Sequence, residues 1–213
     1  MDTTLTRGPW RRWLAAAAVC AGSLTAAFAQ PAPVELAGVK FAPTLPVAGS
    51  TLVLNGAGIR YKLIFKVYAA GLYLAHKAAT PEAVLDQPGP KRMQVVMLRE
   101  IDANELGRLF THGMEENSTP ADFIKTIPGT LRMAEIFSAR RRLVAGDSFA
   151  VEWVPGAGTT VLVNGQPQGE PIKEPEFFRA LMRIWLGPHP ADRLLKSALL
   201  GGSNAVSGSG PGQ

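Results

Sequence analysis

NGAGIRYKLIFKVYAAGLYLA, residues 55–75, is the stretch on which the reading of the fold turns. It opens with Gly56-Ala57-Gly58 and then runs apolar, with charges recurring. Beyond Gly58 the odd positions Ile59, Tyr61, Leu63, Phe65 and Val67 are apolar or aromatic, while Arg60, Lys62 and Lys66 are even. A period of two belongs to a strand with one buried face. Residues 51–75 are therefore expected to be strand-like, with a turn at Asn55-Gly56-Ala57-Gly58. Arg60 is the residue out of place. A guanidinium among apolar neighbours is costly to desolvate unless an anion meets it, either an acid from elsewhere in the chain or the carboxylate or phenolate of a ligand. On a continuous strand Tyr68 lies on the same side, eight residues and about 26 Å away, so only a bend or a hairpin would bring the two together.

Working outward, residues 30–50 form a Pro-rich lead-in. Downstream, Thr80-Pro81 opens a short helix over 80–86, and RMQVVMLR (92–99) reads as a strand. Asp102 with Glu105 three residues on makes a capping box for a helix that carries Leu106, Leu109, Phe110 and Met114 at core spacing and ends near Asn117. Another helical stretch starts at Thr119-Pro120, is expected to break at Pro128-Gly129, and resumes through Leu131, Met133, Ile136 and Phe137. Residues 147–163 read as an antiparallel hairpin turning at Gly156-Ala157-Gly158, and Asn164-Gly165 supplies another tight turn. Residues 174–187 and the segment PADRLLKSALL (190–200) close the chain as helices. The order strands, helices, strands, helices predicts an α+β domain, an antiparallel sheet with helices packed on one face.

The ends are of a different kind. Three arginines and one aspartate lie in residues 1–29; an apolar run over 14–28 ends in Ala27-Phe28-Ala29. That is the form of a signal peptide cut near Ala29/Gln30, and the run is shorter than the roughly 20 residues a bilayer span needs. The expectation is a periplasmic or secreted protein, with a domain over 30–200 and no stable membrane insertion after cleavage. The only cysteine, Cys20, lies in the leader with Val19 before it, which does not suit lipoprotein processing; the remaining chain has no thiol or disulfide. Residues 201–213, GGSNAVSGSGPGQ, read as a flexible tail. Removing the leader from the formal charge of +5 leaves +3, spread among acids apart from Arg140-Arg141-Arg142, so nucleic acid is not an expected partner.

Several chemistries lack their residues. His76, His112 and His189 stand far apart without ligand spacing, which gives no metal site, and no serine sits in a nucleophile-elbow context. Gly56-Ala57-Gly58 precedes a strand and not a helix, so it lacks the dipole and amide cradle of a phosphate loop.

Gly56-Ala57-Gly58-Ile59-Arg60, followed by Lys66-Val67-Tyr68-Ala69-Ala70-Gly71-Leu72-Tyr73-Leu74, resembles the chalcone isomerase family, in which a G-x-G-x-R strand leads to a K-F-T-A-x-G-x-Y-L strand. The resemblance continues through Glu116-Asn117, the hairpin at 147–163 and Ile184-Trp185-Leu186-Gly187, over about residues 34–200, and is strongest with the exported bacterial branch. It implies an open-faced β-sandwich, with a large antiparallel sheet, helices on one face and a ligand cleft between them. It further implies that the arginine holds an anionic group, with a threonine and a tyrosine assisting an enolate in the plant enzymes. Arg60 and Asn117 match. The threonine position falls on Tyr68, the tyrosine position on Phe110, which donates no hydrogen bond, and a second hydroxyl position around Gln168.

A site that keeps the anion clamp and loses the proton-donating wall reads as a binder, as in relatives that bind fatty acids. The leading expectation is a non-catalytic site, without a cofactor, for a small amphiphilic molecule. Arg60 and Tyr68 would grip its anionic head, and Phe110 and Asn117 would complete the ligand-binding set. The alternatives are an intramolecular lyase acting on an enone through Arg60, Tyr68 and Asn117, and a binder of haem or another planar ligand, for which a histidine would have to reach the cleft.

Overall fold

Residues 55–75 fold as two antiparallel strands joined by a two-residue loop at Leu63-Ile64, not as one strand. The computed structural model describes Met1 and residues 32–202. Apart from Met1, the expected leader with its cleavage point, and the tail from residue 203 on, lie outside the described residues. The chain divides into Met1–Gln30 and Pro31–Gln213, and the described domain belongs to the second unit.

In chain order the elements are β1 (Val34–Leu36), β2 (Val39–Phe41), β3 (Thr44–Val47), β4 (Ser50–Lys62), β5 (Phe65–Leu74), α1 (Pro81–Asp86), β6 (Lys91–Met97) and β7 (Ile101–Asp102). They continue with α2 (Ala103–Glu116), α3 (Pro120–Ser138), β8 (Arg142–Leu143), β9 (Ser148–Val154), β10 (Gly158–Val163), β11 (Gln166–Pro167), α4 (Pro175–Leu186) and α5 (Arg193–Leu199). A seven-stranded sheet runs β11-β10-β9-β6-β5-β4-β3, every neighbouring pair antiparallel. The α+β architecture is the expected one.

The helices cover one face of the sheet. Leu72 and Leu74 of β5, Met93 and Val95 of β6, and Phe149 and Val151 of β9 pack there against Leu106 and Phe110 of α2, Phe137 of α3, Phe177 and Trp185 of α4, and Leu195 and Leu199 of α5. On the opposite face Leu52, Leu54, Ala69 and Tyr73 meet Leu36 and Phe41 from the β1–β2 ribbon. The lead-in is thus structured. Ala37-Gly38 and Ala48-Gly49 both take left-handed backbone angles, which turns β1 into β2 and β3 into β4. Gly71 leaves room for the Phe41 ring, which would lie 2.6 Å from any Cβ placed there. Among the described residues both clusters draw on positions between 34 and 200.

Three local expectations change. Asn55-Gly56-Ala57-Gly58 is not a turn: β4 runs straight through it, with an irregularity in pairing between Leu54 and Gly56. Leu63 and Phe65 are not on a buried face but at an exposed hairpin tip. Finally, α3 does not break at Pro128-Gly129, which lies inside one helix of 19 residues. Its buried side holds Thr126, Gly129, Thr130, Met133 and Phe137 on both sides of the proline, and the Phe177 ring of α4 seats against Gly129, 2.6 Å from where a Cβ would stand. Tertiary packing here outweighs the loss of one helical hydrogen bond.

Candidate functional site

The site begins with the side of β4 that faces the helices. Because side chains alternate, Gly56, Gly58 and Arg60 succeed one another on it. Helix α5 lies on the two glycines so closely that a Cβ on Gly56 would stand 2.0 Å from the Ala198 carbonyl oxygen, and one on Gly58 2.8 Å from the Ala198 Cβ. Both ends of the helix are pinned to the strand. Asn55, at the pairing irregularity, donates to the carbonyls of Leu199 (2.7 Å) and Ala78 (2.9 Å) and accepts from the Ala78 N–H (2.7 Å). Asp192 caps α5 with one carboxylate oxygen, accepting from Leu194 and Leu195, and accepts from the Tyr61 N–H with the other. The glycines of G-x-G-x-R thus seat a helix on the strand, and Arg60 is the next position on the same side.

The hairpin resolves the distance between Arg60 and Tyr68. They are direct cross-strand partners, with the register shifting just beyond them between Arg60 and Tyr61. The Arg60 guanidinium carbon lies 5.6 Å from the Tyr68 ring centroid, a cation–π arrangement. The Tyr68 hydroxyl accepts a 2.8 Å hydrogen bond from the Trp185 indole N–H. Burial pushes the Tyr68 phenol up to about 12, against the opposing pull of Arg60 and of the Trp185 bond, so it is neutral at physiological pH. Tyr68 is fully buried and does not line the cleft: it carries the guanidinium from beneath.

Arg60 emerges at a cleft of about 260 Å³ bounded by α2, the end of α4 and the segment leading into α5. Its walls are Leu106, Leu109, Phe110, Gly113, Ile184, Pro190 and Ala191, with His112, Glu116 and His189 at the polar positions. Phe110 presents only its margin, since its ring packs edge-on against Phe137, Phe149 and Trp185 with centroids 5.5 to 5.8 Å apart. The Arg60 Nε is buried with no hydrogen-bond partner. Among the described residues no acid stands within ion-pairing distance of this guanidinium. Asp192 is occupied by three backbone N–H groups, and Glu116 pairs with His112 at 3.3 Å on the rim. An unpartnered buried donor of this kind costs about 1–3 kcal/mol.

Asn117 stands elsewhere. As the C-cap of α2 it donates to the carbonyls of Gly113 and His189 and accepts from the His189 N–H, at 2.8 to 2.9 Å, which clamps the α4–α5 connection. It borders a separate hollow of about 410 Å³ with Arg179, Arg183 and Lys196, not the Arg60 cleft. Gln168 is also apart, its amide donating to the Gln166 carbonyl beside β11. Arg60, Tyr68 and Phe110 therefore converge, and Asn117 shapes the cleft rim only through the backbone of His189. His112 and His189 are the cleft residues that sequence reasoning passed over. The one available signal was their setting, His112 one turn before Glu116 on α2 and His189 between two prolines after a helix end. Among the described residues no group of three or more His, Cys, Asp or Glu side chains is placed to hold a metal.

A family model described as chalcone isomerase-like matches residues 33–201. The chain belongs to the chalcone isomerase-like family. Among solved structures it is similar to a fatty-acid binding protein of Arabidopsis thaliana, at 14% identity and a TM-score of 0.63, over 79% of this chain and 95% of that chain. At that identity the likeness is one of fold. No match was found among curated proteins. In this chalcone isomerase-like domain the large antiparallel sheet with helices on one face is as the resemblance implied.

Proposed function

We propose that this protein is a non-catalytic binder of a small amphiphile with an anionic head, a fatty acid in the simplest case, held at Arg60. The observation that carries the reading is the Arg60 guanidinium, with a buried Nε lacking any partner at the floor of an otherwise largely apolar cleft. A carboxylate in the cleft would accept a charge-assisted hydrogen bond from the guanidinium, which no acid of the described residues meets. Tyr68 would act from behind, holding the cation over its ring, and Phe110 would contribute apolar floor. The fold neighbour's description as a fatty-acid binding protein supports the same class. The space of about 260 Å³ is at the small end of ligand sites, roughly 300–1,000 Å³, and suits a short chain or the head of a longer one. The leader-like N-terminus supports binding outside the cytoplasm, in the periplasm or beyond.

The test is native mass spectrometry of residues 31–213 purified from a bacterial periplasm, with Arg60→Met alongside. A fatty-acid-sized adduct in the parent and its absence in the variant support the reading; the same adduct in both removes Arg60 from binding.

The lyase reading keeps one observation in its favour, because His112 and His189 bring two proton-transfer groups to the rim of the same cleft. Loss of chalcone absorbance that disappears in Arg60→Met would establish it, and no turnover over a panel of enones would end it. The same histidines meet the geometric condition for a planar cofactor, but the cleft volume is tight for a macrocycle.

A further inference from the structure

The tip of the β4–β5 hairpin contributes nothing to either core. Lys62 to Lys66 are five consecutive exposed residues between strands that are otherwise largely buried. Leu63 is 89% exposed, Ile64 84% and Phe65 52%. A two-residue hairpin loop with a left-handed first position favours glycine, asparagine or aspartate. Here that position, at φ +57°, holds leucine, and a β-branched isoleucine follows. Backbone preference thus disfavours Leu63 at its position, and solvation disfavours both bulky aliphatic side chains.

The surroundings are cationic. Lys62 and Lys66 flank the apolar triplet, and the Arg99 guanidinium carbon lies 5.0 Å from the Phe65 ring centroid. None of the three is in an ion pair among the described residues. The nearby acids are engaged: Glu100 meets Arg142 at 3.3 Å, and Asp192 holds backbone N–H groups of Tyr61, Leu194 and Leu195. That last contact brings the first turn of α5 to this end of the strand, where Leu194 adds another exposed aliphatic side chain, at 59%.

We propose that this tip is a membrane-docking wedge. Leu63, Ile64 and Phe65 enter the boundary between headgroups and acyl chains of an anionic bilayer, while Lys62, Lys66 and Arg99 meet the lipid phosphates. A protruding tip with successive side chains almost fully exposed needs a partner that yields around it, and a bilayer does so without a preformed socket. Apolar insertion combined with cations at headgroup level is what an anionic lipid surface complements. The docking is peripheral; no helix among the described residues is long and apolar enough to cross a membrane. Arg60 precedes Lys62 by two residues, about 7 Å along the strand, so a docked tip would hold the cleft near the lipid surface. The inference stands on the hairpin and does not require the cleft to bind a ligand.

Residues 31–213 should co-sediment with vesicles of phosphatidylglycerol and phosphatidylcholine in equal parts, and much less with phosphatidylcholine alone. Replacing the two aliphatic tip residues, Leu63→Ser with Ile64→Ser, should weaken the anionic-vesicle affinity about tenfold or more. Lys62→Glu with Lys66→Glu should remove the preference for anionic lipid, each cation contributing about fivefold. Because the tip packs against nothing in either core, both variants should melt with the parent. Residues 31–213 have no cysteine, so Ile64→Cys carrying an environment-sensitive fluorophore reports insertion directly, by a blue shift on anionic vesicles only. Absence of binding to either vesicle, or binding that the tip variants retain in full, would overturn the proposal. So would a self-associated parent that Leu63→Ser with Ile64→Ser renders monomeric without lipid, because the tip would then serve a second copy of the chain.

Discussion

One side of β4 treats its successive positions in opposite ways. At Gly56 and Gly58 it is covered so closely by α5 that there is no room for a methyl group; at Arg60 it carries a large cation that no acid answers among the described residues. The glycines show that close packing was available along this strand, since the same helix extends from Leu199 beside Asn55 to its cap at Asp192 beside Tyr61. The open position is therefore a local exception within a tightly built frame. A residue that costs stability in such a frame points to a use outside the fold.

The packed end should be the most sensitive to change. Gly56→Ala forces the Ala198 backbone away from the strand and should cost about 3 kcal/mol or more, read by chemical unfolding. Gly58→Ala meets side-chain atoms of Ala198 and Leu195 and should cost less, about 1–2 kcal/mol. If the two cost the same, helix contact is not what the glycines serve. Asn55→Ala deletes three hydrogen bonds that tie β4 to Leu199 and Ala78, leaving buried backbone groups unmet, and should cost about 2–3 kcal/mol.

Alkaline pH sharpens the contrast from beneath the arginine. Burial raises the folded-state pKa of Tyr68 to about 12, above the 10.0 of an exposed phenol. Between those values the unfolded chain gives up a proton that the folded protein keeps. The stability from this group is complete below pH 10 and falls as pH rises toward 12, by about 2–3 kcal/mol. Burial places Tyr73 similarly, with its hydroxyl donating to the Ala42 carbonyl. Tyr68→Phe should therefore flatten the alkaline slope by about half without abolishing it, and an unchanged slope would show that the Tyr68 phenol titrates freely.

The open end should be the least sensitive. Arg60→Met loses a cation–π contact worth about 1 kcal/mol but removes a buried donor without a partner, so unfolding should shift by less than about 1 kcal/mol in either direction.

Much of this frame was legible in the sequence because local chemistry agreed with the tertiary result. Thr80-Pro81, Asp102 with Glu105, and the hairpin over 148–163 each carry their own signals, and each appears where those signals placed it. The hairpin at Leu63-Ile64 was hidden because the loop lacks a turn former and the odd-position apolar pattern runs unbroken across it. Gly56-Ala57-Gly58 misled for a related reason. A glycine that permits a helix to approach has the same letter as one that permits a turn, and the difference lies in residues 195–199, far along the chain. Arg60 could be singled out as an unpaired charge in an apolar setting. Its neighbours His112 and His189 could not, because their place at the rim depends on the α2–α4 packing and on Asn117 clamping the His189 backbone.

The central claim is that Arg60 serves a ligand and not the fold, and thermal unfolding of residues 31–213 and Arg60→Met, with and without dodecanoate and dodecanol, tests it most directly. The account predicts that the parent and the variant melt together without ligand, that dodecanoate raises the parent's Tm while dodecanol has little effect, and that neither compound moves the variant. A variant that melts well below the parent without ligand, or that responds to dodecanoate as the parent does, would contradict it.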